Sequence, residues 1–281
     1  NAESCRTKIL FNMRAFADTN ASGQGLSCAG TLKDFNPEDA ALTAANLAKD
    51  AITPRAWADG VYEILLGPAV AADIVQLIGM AASAFHVDSG LSFLINKLGK
   101  KVANEEFTLH DIGAVEGCLG NRTFDDEGTP TKDTAILQKG IMNRFLHNST
   151  TSKKWKTQST GNAGLIVPQP WNLIVEPGSH KFDELIQSID KGIYITSNWY
   201  TRFQNYRSGD FSTVPRDATF LIENGKIKHP IMGARLSDNI LRMLNSICGL
   251  TKDRKWIEWW EVSIPTLTPS MLIKNVPVTK A

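Results

Sequence analysis

Apolar and polar positions alternate along residues 7–15 and 24–31, which predicts two strands separated by the turn-forming run ADTNASGQG. Asn36 followed by Pro37 predicts a helix start, with a capping side chain and a first-turn residue whose φ is already set. Glu38 and Asp39 add negative charge at the positive helix end, and the helix is expected to run to about Ile52, before Pro54. VYEILL at 61–66 predicts a strand. GPAVAADIVQLIGMAASAF at 67–85 then predicts a helix over 68–86 that is apolar on nearly every side. Its polar or charged side chains are Asp73, Gln76 and Ser83. With Met80 they recur at i, i+3, i+7 and i+10, one narrow stripe of a helix.

From residue 105 onward the pattern turns mainly to strand. Segments 134–138 and 141–147 flank Lys139-Gly140, and 218–223 and 226–232 flank Asn224-Gly225, so both read as hairpins. Two amphipathic helices interrupt the strands. Ser179 is expected to cap one carrying Phe182, Leu185, Ile186 and Ile189 and ending near Gly192. Ser237 is expected to cap the other, carrying Ile240, Leu244 and Ile247 and ending near Gly249. Strands at 257–263 and 271–279 finish the chain. The expected class is α+β: a largely antiparallel, barrel-like β core with packed helices, divided into a first region over 1–104 and a β-rich region over 105–281.

Composition narrows the function classes. Over 281 residues, 42% are hydrophobic and 21% charged, as in an ordinary globular protein. Thirty basic against 29 acidic side chains give a net charge of +1, which offers no footprint for nucleic acid; SKKWK at 152–156 reads as a solvated loop. Pro68, Asp73, Gln76 and Ser83 interrupt the most apolar run, so it reads as a core helix and no membrane span is expected. Cys5, Cys28, Cys118 and Cys248 are scattered without CxxC pairs, which suits reduced thiols in the cytoplasm.

Recognised catalytic motifs are absent: there is no HExxH, GxSxG, P-loop or GxGxxG. The five histidines stand far apart. FDDEGTP at 124–130 lacks the ligand alternation of a calcium loop and reads as a turn whose carboxylates accept backbone N–H bonds. The most unusual stretch is NWYTRFQNYRSGDFSTVPRD at 198–217. Its aromatics and arginines suit a surface that grips an extended peptide, and the candidate contacts are Trp199, Tyr200, Arg202, Asn205 and Arg216. A packed loop supporting the β core is the competing interpretation.

Several segments together resemble the TldD/PmbA family, also called modulator of DNA gyrase or peptidase U62. They are LGP at 66–68, FDDEGTPTKDTAILQKGI at 124–141, STGNAG at 159–164, GIY at 192–194, FLIENGKIKHPIMGARL at 220–236 and IPTL at 264–267. The resemblance runs from about residue 5 to the end and lacks the family's amino-terminal α/β region. It implies that in catalytic members the helix after LGP carries His-Glu and a second His, with a late cysteine completing a zinc site. Here those positions fall at Gln76, Leu77 and, for the second His, Ala81, none a zinc-site equivalent. The late cysteine falls near Thr251, three residues from Cys248.

NWYTRFQNY also replaces the glycine-rich strand that catalytic members carry after GIY. Both departures resemble the PmbA, or TldE-like, branch. The resemblance therefore implies a non-catalytic subunit that shapes the chamber for extended peptides, without zinc of its own. Its partner would be a TldD-like catalytic subunit, or a second copy in a homodimer. Two alternatives remain at this stage: an active metallopeptidase with an atypical site, such as His86, Asp88 and Cys248, or a regulatory binding protein.

Overall fold

A computed structural model describes residues 3–115 and 117–281. The chain opens with a hairpin, β1 (Ile9–Asp18) and β2 (Ala21–Ala29), covered by α1 (Pro37–Asp50). Then come β3 (Gly60–Leu66), α2 (Pro68–Ala81), α3 (Ala84–Asp88), β4 (Leu109–Ile112), β5 (Asp133–Gln138), β6 (Ile141–Met142) and α4 (Ser149–Lys154). β7 (Leu173–Val175), α5 (Phe182–Ser188), β8 (Lys191–Asn205), β9 (Asp210–Glu223) and β10 (Lys226–Pro230) follow. The chain ends with β11 (Ala234–Asn239), α6 (Ile240–Asn245), β12 (Ile247–Ile257) and β13 (Thr266–Lys280).

Apart from the β1–β2 ribbon, the strands form one eleven-stranded sheet whose main path is β10-β9-β8-β3-β13-β7-β4-β5-β6. β12 adds to β13, and β11 pairs with both β13 and β9. That double pairing closes β9, β8, β3, β13 and β11 into a barrel-like ring. The pairings β3–β8 and β13–β7 are parallel, and the others among the described residues are antiparallel. The α+β class and the barrel-like core are therefore as expected from the sequence.

Several local expectations also hold. Asn36 Oδ1 accepts the Asp39 N–H at 3.0 Å. Lys139-Gly140 and Asn224-Gly225 both adopt the paired positive φ of tight hairpins, 47° and 75° in the first and 50° and 71° in the second. Asp125 is 2% exposed, and its carboxylate accepts N–H bonds from Glu127, Thr129 and Ala163, so FDDEGTP is a turn.

Other boundaries move. The helix expected over 68–86 ends at Ala81, because Ser83 leaves it to bridge Leu146 and the chain restarts as α3. The cap of α5 is Lys181 rather than Ser179; its N–H donates to Glu184 Oε2, and the helix stops at Ser188. The cap of α6 is Asn239, whose Oδ1 accepts the Arg242 N–H, while Ser237 lies within β11. Residues 247–257, expected in part as the tail of that helix, form β12, and 258–263 form a turn instead of a strand. The stretch 198–217 is the paired end of β8 and β9 with the turn between them, and it carries the exposed side chains of Tyr200, Arg202 and Arg216.

The main core lies between α2 and the sheet, with Val70, Ile74 and Ile78 in one apolar cluster with Ile64, Leu173, Ile195 and Ile273. Gly79 permits the approach of α2 to β7, since a Cβ there would lie 2.6 Å from Leu173 Cδ1.

Candidate functional site

Pro68 starts α2 directly after β3, so the helix runs behind β8 and β13 with its stripe of polar residues turned toward β8 and the 258–263 turn. Asp73 is 1% exposed. Its carboxylate accepts from Gln76 Nε2 at 2.9 Å, from Asn198 Nδ2 at 2.6 Å and from the Thr201 hydroxyl. Asn198 Nδ2 and Thr201 Oγ1 also meet Thr213 Oγ1 on β9. Glu261 joins the network from the turn, accepting the Thr201 N–H at 2.7 Å and Arg202 Nη1 at 3.1 Å.

Gln76 is committed at both ends. Its Nε2 donates to the Glu261 carbonyl as well as to Asp73, and its Oε1 accepts the Ser263 N–H at 3.1 Å. Leu77 and Ala81 are buried and carry no donor atom. Gln76, Leu77 and Ala81, the positions to which the resemblance would assign a zinc and its base, thus form part of the packing, and their side chains do not fit the metal.

The alternative set is not assembled either. His86 Nδ1 bonds the Met80 carbonyl at 2.8 Å, and Asp88 is held by Trp155 Nε1 and Lys154. Cys248 packs against the apolar cluster of Leu65, Leu185 and Leu272, where burial raises its thiol pKa and disfavours a thiolate. Thr251 bonds the Asp253 carbonyl and the Ser270 N–H. Among the described residues, no group of three or more His, Cys, Asp or Glu side chains converges as a metal site.

Burial pushes the Asp73 carboxyl up to about 6 from 3.8, against the hydrogen bonds from Thr201, Gln76 and Asn198 that favour its anion. The folded chain therefore keeps this proton to a higher pH than the unfolded chain. The associated stability is complete below the unfolded value of 3.8 and is lost as pH rises to about 6. Asp73→Asn should flatten that part of the stability–pH curve. Denaturant unfolding between those two limits reads the slope directly, and a slope equal to the parent's would count against it.

The proposed peptide contacts separate into two groups. Trp199 has Arg14 and Arg216 over its ring at 4.5 and 5.0 Å, and Tyr200 and Trp260 at its edges. Tyr200 sits at φ +57° in a bulge, where Trp199–Arg202 on β8 opposes Val214–Ser212 on β9. Its ring is 53% exposed beside Trp260 at 55%, and Arg202 lies 6.0 Å from it with a side chain 63% exposed. Asn205 lies apart: its Oδ1 accepts the N–H groups of Arg207 and Ser208 in the β8–β9 turn. Sequence reasoning missed Asp73, Asn198, Thr201 and Glu261 as one network and missed Arg14 and Trp260 as neighbours of Trp199. The signals were a lone carboxylate in an apolar helix and the consecutive tryptophans of IEWWE.

Comparison with known proteins matches the PmbA/TldA metallopeptidase C-terminal domain to residues 59–280. A metalloprotease of Methanocaldococcus jannaschii is 31% identical over 220 residues, covering 76% of this chain and 48% of that protein. The chain spans about half the length of the curated relatives it matches. A Thermotoga maritima structure described as a modulator of a DNA gyrase is 32% identical with a TM-score of 0.88, covering 96% of this chain and 62% of that one. TldE from Thermococcus kodakarensis, 20% identical with a TM-score of 0.79 over 92% of this chain and 63% of that one, shares the fold. With the family's domain pattern running through its whole main sheet, the chain belongs to the TldD/PmbA family of metallopeptidase-type proteins.

Proposed function

We propose that this chain is the non-catalytic, TldE-like subunit of a cytoplasmic peptidase acting on extended peptides, where it shapes the substrate chamber. The observation that carries this reading is Gln76, whose amide is spent on Asp73, Glu261 and Ser263 while Leu77 and Ala81 offer no donor. Zinc and the water it activates would belong to a TldD-like partner. This chain's residues would bind and orient the peptide through Trp199, Tyr200, Arg202 and Arg216, as a heterodimer or, failing a partner, a homodimer. The cytoplasmic assignment draws on four separate free thiols.

Two measurements test this. Chelator-free protein should contain no stoichiometric zinc by elemental analysis, and near-stoichiometric zinc would overturn the reading in favour of an atypical metallopeptidase. Cleavage of an unstructured peptide by a TldD-like subunit should then rise when this chain is added. Full activity of that subunit alone would remove the chamber role.

A further inference from the structure

The turn joining β1 to β2 faces the middle of β9 across a cleft of about 480 Å³, within the range of small-ligand sites. Its charges are unevenly satisfied. Arg14 donates through Nε and Nη2 to Asp217 Oδ1 at 3.0 and 2.7 Å, and Ser22 Oγ donates to the same oxygen at 2.7 Å. Asp217 Oδ2 is sealed from solvent, so this carboxylate is closed to Arg216. Arg216 is exposed, rests on the Trp199 ring and makes no ion pair among the described residues. The cleft therefore carries one uncompensated guanidinium beside an apolar wall of Phe16, Val214 and Met232. Thr219, 3% exposed, adds a hydroxyl without a hydrogen-bond partner to the same lining.

We propose that this cleft binds the carboxyl-terminal end of an extended peptide, with Arg216 taking the terminal carboxylate and the apolar wall taking the last side chain. A guanidinium already oriented on an aromatic face presents two parallel N–H donors, the geometry a carboxylate accepts. Arg14 cannot do the same, because Asp217 and Ser22 share its site. The wall favours a leucine-like terminal residue over a polar one: Phe16 and Met232 are 64% and 52% exposed, and a branched apolar side chain would cover them. The choice of a peptide as ligand rests on the function proposed above, but the site itself needs neither a partner subunit nor catalysis.

Calorimetric titration of the isolated chain tests it, using N-acetyl-trialanyl-leucine as free acid and as carboxamide. The free acid should bind at least about tenfold more tightly than the amide. Arg216→Gln should lower the acid to the affinity of the amide, and Arg216→Lys should fall between, since it keeps the charge but not the fork. Arg216 is exposed and makes no ion pair among the described residues, so losing its contact with the Trp199 ring should shift the melting temperature of either variant by no more than a few degrees. A carboxamide peptide with an internal aspartate should bind as weakly as the plain amide. Equal binding of acid and amide, no binding of either, an unchanged preference in Arg216→Gln, or tight binding of the internal aspartate would each overturn the proposal. Because no cleavage is measured, loss of the chamber role would leave a positive result standing.

Discussion

Ile78→Asp should leave the chain without a stable fold. Ile78 is fully buried at the centre of α2, in the same apolar cluster as the strands it crosses. The helix cannot shift to relieve the new charge, because Gly79 already holds it against Leu173. Burying a carboxylate without partners costs several kcal/mol, comparable to the roughly 5–15 kcal/mol that holds a domain together. Asp73 shows what tolerance requires: on the same helix, it survives burial because three side chains donate to it. Ile78 lies instead within the main apolar cluster. Met80, 42% exposed on the same helix, is the matched control, and Met80→Asp should unfold within a few degrees of the parent. Circular dichroism melts of the two variants decide the matter. Parallel melting of Ile78→Asp and the parent would mean that this helix face meets solvent.

The helix itself was legible because a run of apolar residues after LGP has little choice of environment. Its end was not. Residues 82–86 continue the apolar pattern, and only a tertiary contact, Ser83 with Leu146, stops the helix at Ala81. The same limit explains Ile247. Ile240, Leu244 and Ile247 share a helical spacing, yet Ile247 pairs with Ile273 on β13, and long-range pairing overrides the local period. ASGQG read as a turn because glycines usually mark one. In β2, however, Gly23 and Gly25 make room for the backbone of α1, where a Cβ at Gly25 would lie 1.8 Å from the Ala40 carbonyl oxygen.

The candidate site divides along the same line. That Leu77 and Ala81 bring no side-chain donor to the positions where the family resemblance would put zinc chemistry was plain from residue identity alone. What Gln76 does instead was hidden, because its partners Glu261 and Ser263 lie far along the chain. The aromatic and basic character of 198–217 was plain. Its division into a stacked Trp199, an outward Tyr200 and a turn-forming Asn205 depends on a bulge that shifts the alternation of the strand by one residue.

Tyr200→Gly should weaken peptide handling while leaving the fold intact, which separates binding from packing better than any change at Trp199. The Trp199 ring is wedged among Arg14, Arg216 and Trp260, so removing it disturbs structure and surface together. Tyr200 differs in two respects. Its side chain is about half exposed, and its backbone lies at φ +57°, a region that costs a bulky residue on the order of 1–3 kcal/mol and glycine nearly nothing. Losing its edge contacts with Trp199 and Trp260 removes about 0.5–1.5 kcal/mol each, so the two effects nearly cancel and the melting temperature should stay close to the parent's. In a complex reconstituted with a TldD-like subunit, loss of the ring should raise KM for an unstructured peptide by roughly five- to a hundredfold, the range of a well-placed aromatic contact. The partner's chemistry is untouched, so kcat should change little. Arg202→Ala, which removes an exposed guanidinium but also the partner of the buried Glu261, should raise KM and lower the melting temperature together. An unchanged KM in Tyr200→Gly would take the bulge out of the substrate path, and a melting temperature that falls with activity would return the aromatic cluster to a purely structural role.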